Sequence, residues 1–178
     1  MSAYSLGVTQ GVLFPEAEAW ALETTAFRRV VTTLETVRPG TPLEAELIGR
    51  PIRRPEDAAR VLAPHLEHEA VEVFAALPLN SRHEVIGYVE VSRGTLNKSL
   101  VHPREVLGPA VRLGAAAVIV AHNHPSGDPA PSAEDREVTT RLRSAGDVLG
   151  IPLIDHVVIG EGGRHASLRM LMSWTDAR

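Results

Sequence analysis

The run from Leu113 to Ala121 is nine residues without a polar side chain, and it ends abruptly in His122-Asn123-His124-Pro125. Within it, Ala115 to Ala121 is a continuous string of small and branched apolar residues, the pattern of a strand covered on both faces. Such a strand needs helices on either side of it, which restricts the fold to layered α/β arrangements. Nine residues cannot cross a bilayer, so the run is not a membrane span.

The flanking segments agree. Pro103 opens a helix that carries Val106, Leu107, Ala110, Val111 and Leu113 and closes at Gly114. A longer helix is expected over about Ala133–Leu149, with Gly150 as its terminator and Pro152 beyond. Ile151 to Ile159 then reads as a further strand. Upstream, a short helix is expected from Glu56 to Leu66, entered through Pro55. Val71 to Leu77 is β-rich and is expected to bend or end at Pro78. Asn80 to His83 is a polar turn and Val85 to Val91 alternates, so these two strands should form a hairpin. The order β-β-α-β-α-β predicts an α/β (or α+β) domain, a mixed sheet flanked by helices. That domain is expected over residues 51–174.

Residues 1–50 read as an N-terminal helical extension and linker. Trp20, Phe27, Val30, Val31, Leu34 and Val37 form one stripe between Pro15 and Val37, stopped by Arg38-Pro39-Gly40. A packing helix accounts for that stripe; a helix docking a second copy, giving a homodimer, is the sharper alternative. Residues 41–54 hold several prolines and read as a linker.

The chemistry is concentrated where the buried strand ends. Side chains alternate along a strand, so His122 and His124 share one side and Asn123 takes the other. Two imidazoles at that spacing can grip one metal ion. Asp135 follows 11 residues after His124, at the start of a helix, and Ser126-Gly127-Asp128-Pro129 is turn chemistry able to fold the chain back. Two His and one carboxylate leave a fourth tetrahedral position open, as in catalytic rather than structural zinc sites. The competing explanation is structural: Ser132 with Asp135 three residues on resembles a capping box, in which Asp135 only satisfies backbone donors.

Composition removes several rivals. There is no cysteine, which excludes disulfide scaffolds, thiolate metal sites and cysteine nucleophiles and agrees with a reducing, cytoplasmic location. No Lys or Arg precedes Arg28, so a basic signal-peptide n-region is not expected. The net charge of −4, with two Trp, two Tyr and three Phe, argues against direct nucleic-acid binding. Arg50, Arg53 and Arg54 read as a solvated face. The His-Glu-x-x-His zincin pattern is absent, and deaminase zinc sites need cysteines.

His-x-His-Pro, six residues, then Ser-x-x-Asp resembles the JAMM signature of the JAB/MPN metallopeptidases. The fuller string His122-Asn123-His124-Pro125-Ser126-Gly127-Asp128-Pro129, with Pro131, Ser132 and Asp135, is similar to the RadC branch. So are Gly94-Thr95-Leu96, Val101-His102-Pro103-Arg104-Glu105 and Asp155-His156. The resemblance spans roughly Pro51 to Trp174. It implies the MPN/JAB fold, with a cytidine-deaminase-like three-layer architecture, and one zinc ion held by His122, His124 and Asp135. It further implies cleavage of an amide or isopeptide bond in a peptide or protein substrate.

A glutamate upstream, at the edge of the first core strand, acts on the attacking water in that family. Glu72 is the match here and Glu69 the runner-up; a solvent carboxylate at a strand start is the plain alternative. Ser132 is then a candidate donor to the oxyanion, Asn123 a residue that orients substrate or fixes the turn, and Asp155-His156 a supporting pair or ordinary strand residues. No helix-hairpin-helix is recognisable in residues 1–50, and Asn80 stands where relatives often carry an acid. A DNA-repair accessory factor and a non-catalytic interaction module are the alternative functions the resemblance leaves open.

Overall fold

The computed structural model describes residues 48–94, 101–172 and 174. The expected N-terminal helix, its apolar stripe and the start of the linker lie outside these residues, as do Thr95 and Leu96. The described elements are α1 (Pro55–Leu66), β1 (Val73–Leu79), β2 (Val89–Arg93), α2 (Pro103–Arg112), β3 (Ala117–Asn123), α3 (Ala133–Leu149), β4 (Leu153–Ile159), β5 (His165–Ser167) and α4 (Leu168–Leu171), with a 3-10 turn at Glu161–Gly163.

The five strands form one sheet in the order β2-β1-β3-β4-β5. β1 runs antiparallel to both β2 and β3, β3 and β4 are parallel, and β5 returns antiparallel to β4. The sheet is therefore mixed, and α3 makes the crossover between its parallel pair. Alternation divides the core between the two faces. Val73, Leu77, Ile119 and Ala121 pack with Leu62 and Leu66 of α1, while Phe74, Ala76, Val118 and Val120 pack with Leu107 of α2 and Leu142 of α3. Helices on both faces of a mixed sheet give the layered α/β domain expected from the element order, with the three layers that the family resemblance implies.

Several boundaries differ from the sequence expectation: β1 begins at Val73 and β4 at Leu153, each two residues late, and three others have a visible cause. β1 does not stop at Pro78 but runs through it to Leu79, with Pro78 opposite Val118. The Pro78 carbonyl faces β2 and accepts from the Ile86 N–H. The regular β1–β2 ladder ends at Ala76↔Val89, so no strand requires the amide proton that proline lacks.

The second strand is shorter than expected and begins at Val89. Val85 makes an isolated bridge to Leu79, and its own N–H and C=O bond on the other edge to Arg50 and Gly49. The expected linker is thus partly structured: Pro51 bridges Glu84, and Ile52 is buried. Asn80 organises the intervening turn, its Oδ1 accepting from the Arg82 and Glu84 amides.

β3 extends two residues past the apolar run, so His122 and Asn123 lie within the strand rather than beyond it, both fully buried.

Asp155 is buried on β4. Its carboxylate accepts from the amides of His156 and Arg169 and from the Ser167 hydroxyl, which anchors β5 and α4 to the sheet. Burial pushes its carboxyl up, and these hydrogen bonds offset only part of that shift. A raised acid favours the protonated folded form, so this contribution is full below the ordinary carboxylate pKa and is lost as pH rises through the raised value. Asp155→Asn, which keeps the Oδ1 acceptor, is expected to flatten that decline. Asp155→Ala is expected to cost about 1–3 kcal/mol for each buried donor left unpaired. Urea unfolding at pH 5 and pH 8 checks both; equal stability of the Ala variant and the wild type would contradict the assignment.

Candidate metal centre

β3 delivers His122 and His124 to the same side of the sheet, facing the N-terminus of α3. Their Nε2 atoms are 3.0 Å apart. Asp135, in the first turn of α3, places Oδ1 3.2 Å from His122 Nε2 and Oδ2 3.5 Å from His124 Nε2. The His122–His124 and His122–Asp135 Oδ1 separations, 3.0 and 3.2 Å, are close to the edge, about 3.3 Å, of a tetrahedron with metal–ligand distances of 2.0–2.1 Å. Glu72, just ahead of β1, brings Oε1 to 3.9 Å from His124 Nε2. Glu72, His122 and His124 each offer a ligand atom, all within 4.8 Å of one another.

Ser132 and Asp135 form the capping box that their spacing suggests. Ser132 Oγ accepts from the Asp135 amide, and Asp135 Oδ2 accepts from the Ser132 amide at 2.7 Å. The Ser132 hydroxyl also donates to Oδ2. Capping therefore occupies Oδ2 and leaves Oδ1 directed at His122. The two explanations of Asp135 are compatible because they use different oxygens.

The histidine tautomers follow from their other nitrogens. Thr139 Oγ1 donates its one proton to the Asp135 carbonyl at 2.6 Å, so it accepts from His156 Nδ1, also at 2.6 Å. His156 then presents a lone pair at Nε2, and the 2.8 Å contact makes His122 Nδ1 the donor. His124 Nδ1 donates to the Asp128 carbonyl at 2.8 Å. Both histidines have their Nδ1 protons committed, so in the neutral state both Nε2 lone pairs converge beside the Asp135 carboxylate. Converging lone pairs and a carboxylate suit a cation, and the donor set fits a metal ion.

A family model for the RadC-like JAB domain matches residues 52–172. The chain belongs to this family. It is 49% identical over 133 residues to a UPF0758 protein of Symbiobacterium thermophilum, covering 72% of this chain and 57% of the relative. A UPF0758 protein of Geobacter sulfurreducens is 58% identical over 91 residues, 51% of this chain and 40% of the relative. A third, from Moorella thermoacetica, is 50% identical over 118 residues, 66% of this chain and 51% of the relative. The chain spans about half the length of the curated relatives it matches.

In this RadC-like JAB domain the expected site residues meet at one place, with one internal division. His156 supports His122 directly, whereas its neighbour Asp155 anchors β5 and α4 instead. Glu69 does not approach the histidines as Glu72 does: its carboxylate is held by Arg93 Nη1 at 2.7 Å. Phe74 stacks on His122, ring centroids 5.8 Å apart and planes 11° apart, and fixes the imidazole from the β1 side. Thr139 was not anticipated. Its signal was its position one helical turn after Asp135, on the same face of α3.

The JAB loop from His124 to Pro131 is held down by glycines. A Cβ on Gly160 would come within 2.6 Å of the Gly127 carbonyl oxygen and 2.7 Å of Pro129 Cδ, and Gly127 itself has φ +75°. That close approach brings the Asp128 carbonyl to His124.

Electrostatics complete the site. Burial pushes the Asp135 carboxyl up, but the His122 and His124 imidazoles, when protonated at Nε2, hydrogen-bond to it and hold it well below the usual range. The same carboxylate raises His124 above the ordinary imidazole value against a smaller effect of burial. Burial holds His156 well below that value, neutral at physiological pH. A metal ion must displace the proton that Asp135 helps His124 to keep. Divalent-metal affinity is therefore expected to fall about tenfold per pH unit below the raised His124 pKa and to level off above it. Competition against a chromogenic chelator between pH 5.5 and 8.5 measures this; a flat profile would contradict His124 as a ligand. Among the described residues, no helix is long and apolar enough to cross a membrane.

Proposed function

We propose that the chain is a zinc-dependent metallopeptidase or isopeptidase, cleaving an amide bond in a peptide or protein substrate. The observation that supports this most is the convergence of His122 Nε2, His124 Nε2 and Asp135 Oδ1 beside the Glu72 carboxylate. His122, His124 and Asp135 hold the ion. When bound, zinc supplies a Lewis acid that polarises the scissile carbonyl and acidifies water toward a pKa of ~7.

The chain's own residues do the rest. Glu72 takes a proton from the attacking water and returns it to the leaving amine, so the carboxylate is regenerated in each cycle. Its 3.9 Å separation from His124 Nε2 is longer than the ligand spacings, as suits a base beside the ion. Ser132 holds Asp135 through its hydroxyl and, by turning that proton outward, donates to the developing oxyanion. Phe74 and the buried His156 keep solvent from the inner side of the histidine pair.

Zinc-loaded protein incubated with a mixture of linear and isopeptide-linked peptides, analysed by mass spectrometry, tests the proposal. The expected result is hydrolysis at an amide bond, lost with a chelator and restored by zinc. Intact peptides after zinc loading would count against catalysis and favour a JAB-type interaction module.

A further inference from the structure

We infer that Asn123 is a positioning residue that sets Glu72 against the histidine pair. The regular pairing of β1 with β3 stops at Phe74↔His122. One residue further, the Asn123 side chain replaces the backbone ladder. Its Oδ1 accepts from the Val73 amide at 2.8 Å, and its Nδ2 donates to the Val71 carbonyl at 3.1 Å. A longer contact, 3.4 Å, reaches the Glu69 carbonyl. The amide thus bonds to the backbone on both sides of Glu72 and to neither atom of its side chain.

The opposite edge is fixed as well, since the Gly94 N–H donates to the Glu72 carbonyl at 2.8 Å. Glu72 lies outside the strand, directly after the turn at residues 67–71, and these bonds fix the backbone on either side of it along the β3 edge. Asn123 is fully buried and immediately precedes His124. One side chain therefore ties the strand end that carries a ligand histidine to the strand start that carries the carboxylate, although the two are some 50 residues apart in sequence. A primary amide suits this because it offers one acceptor and one donor, the complement of a peptide unit.

This rests on the proposed role of Glu72, and the test separates the two. Cobalt-substituted wild type, Asn123→Ala, Asn123→Asp, Glu72→Gln and the Asn123→Ala/Glu72→Gln double variant are titrated with acetohydroxamic acid and, separately, with azide, following the visible spectrum. The hydroxamic acid gives up its O–H proton on binding as the anion, and Glu72 receives it; azide arrives already as an anion. The hydroxamic acid is expected to bind about tenfold more weakly to Glu72→Gln and to Asn123→Ala, the size of one charge-assisted hydrogen bond. The double variant is expected to match Glu72→Gln alone, because the effect of Asn123 passes through Glu72. Azide and cobalt affinities are expected to stay within about threefold of wild type.

Where Asn123→Ala does not fold, Asn123→Asp, which keeps the acceptor and loses the donor, carries the same reading. A folded Asn123 variant that binds the hydroxamic acid as wild type does, or whose loss adds to that of Glu72→Gln, overturns the inference. A Glu72→Gln variant with wild-type affinity overturns the role of Glu72, and with it the reason to position that residue.

Discussion

Glu72→Gln is expected to retain its metal and to lower amide hydrolysis by about 10²–10⁴-fold, the range for removal of a positioned general base. The substitution keeps the size of the side chain, replaces one carboxylate oxygen by an NH2 donor, and removes the negative charge that lets Glu72 accept a proton. His122, His124 and Asp135 are untouched by it, so metal content and unfolding midpoint should equal those of the wild type. Steady-state kinetics on whichever amide the peptide mixture reveals, run beside metal analysis, separate the two effects. A fall in kcat with little change in KM identifies an interaction made in the transition state. Glu69→Gln serves as the control: its carboxylate is engaged by Arg93, and its loss should leave turnover largely intact. Normal turnover by Glu72→Gln would move the base assignment to Glu69.

His122→Ala has the other large effect. It removes one of three donor atoms, whereas loss of a mere supporting partner already lowers metal affinity 10–100-fold, so a loss of at least about 100-fold is expected. The fold is affected too. His122 is fully buried, stacks on Phe74 and donates to His156, so its removal leaves a cavity and an unpaired imidazole nitrogen. That orphaned group costs about 1–3 kcal/mol. His124 is half-buried at the mouth of the site, and its Nδ1 bonds only to the loop carbonyl of Asp128. His124→Ala should therefore lose metal as severely while unfolding closer to wild type. Urea titration of the two metal-free variants, with chelator competition for zinc, distinguishes ligand loss from collapse of the site. Stoichiometric zinc in His122→Ala would contradict the ligand assignment.

The parts of the fold legible in the sequence were those with strong local signals. Ala115 to Ala121 predicted a strand covered on both faces, and Gly150 ends α3 with φ +68°. The Ser132–Asp135 spacing correctly indicated an N-cap. What escaped was decided by partners distant in sequence. Pro78 lies within a strand because its missing donor faces a side where the ladder has already stopped. The segment at Val85 pairs with Gly49 and Arg50 on one edge and meets β1 only at Pro78 and Leu79 on the other, and neither segment shows that pairing alone. β5 and α4 are short, and the buried Asp155, 12 residues from Ser167, holds them in place.

The site divides in the same way. His122, His124 and Asp135 lie within 14 residues of sequence, close enough for spacing to suggest a shared ion. Glu72 came from family resemblance, and the choice over Glu69 needed the positions of His124 and Arg93. Thr139 and His156 act through hydrogen-bond direction, which follows from where each proton goes and not from residue type. Asn123 reads from the sequence as a residue that orients substrate or fixes the turn; its bonds to Val71 and Val73 depend on the antiparallel register of β1 and β3.

The central claim is that His122, His124 and Asp135 hold one metal ion, and the most direct measurement is the metal content of the purified protein by mass spectrometry, with His124→Ala beside it. The expected result is near one zinc per chain in the wild type and none in the variant. No stoichiometric metal in the wild type, even after zinc is supplied and chelator removed, would contradict the claim.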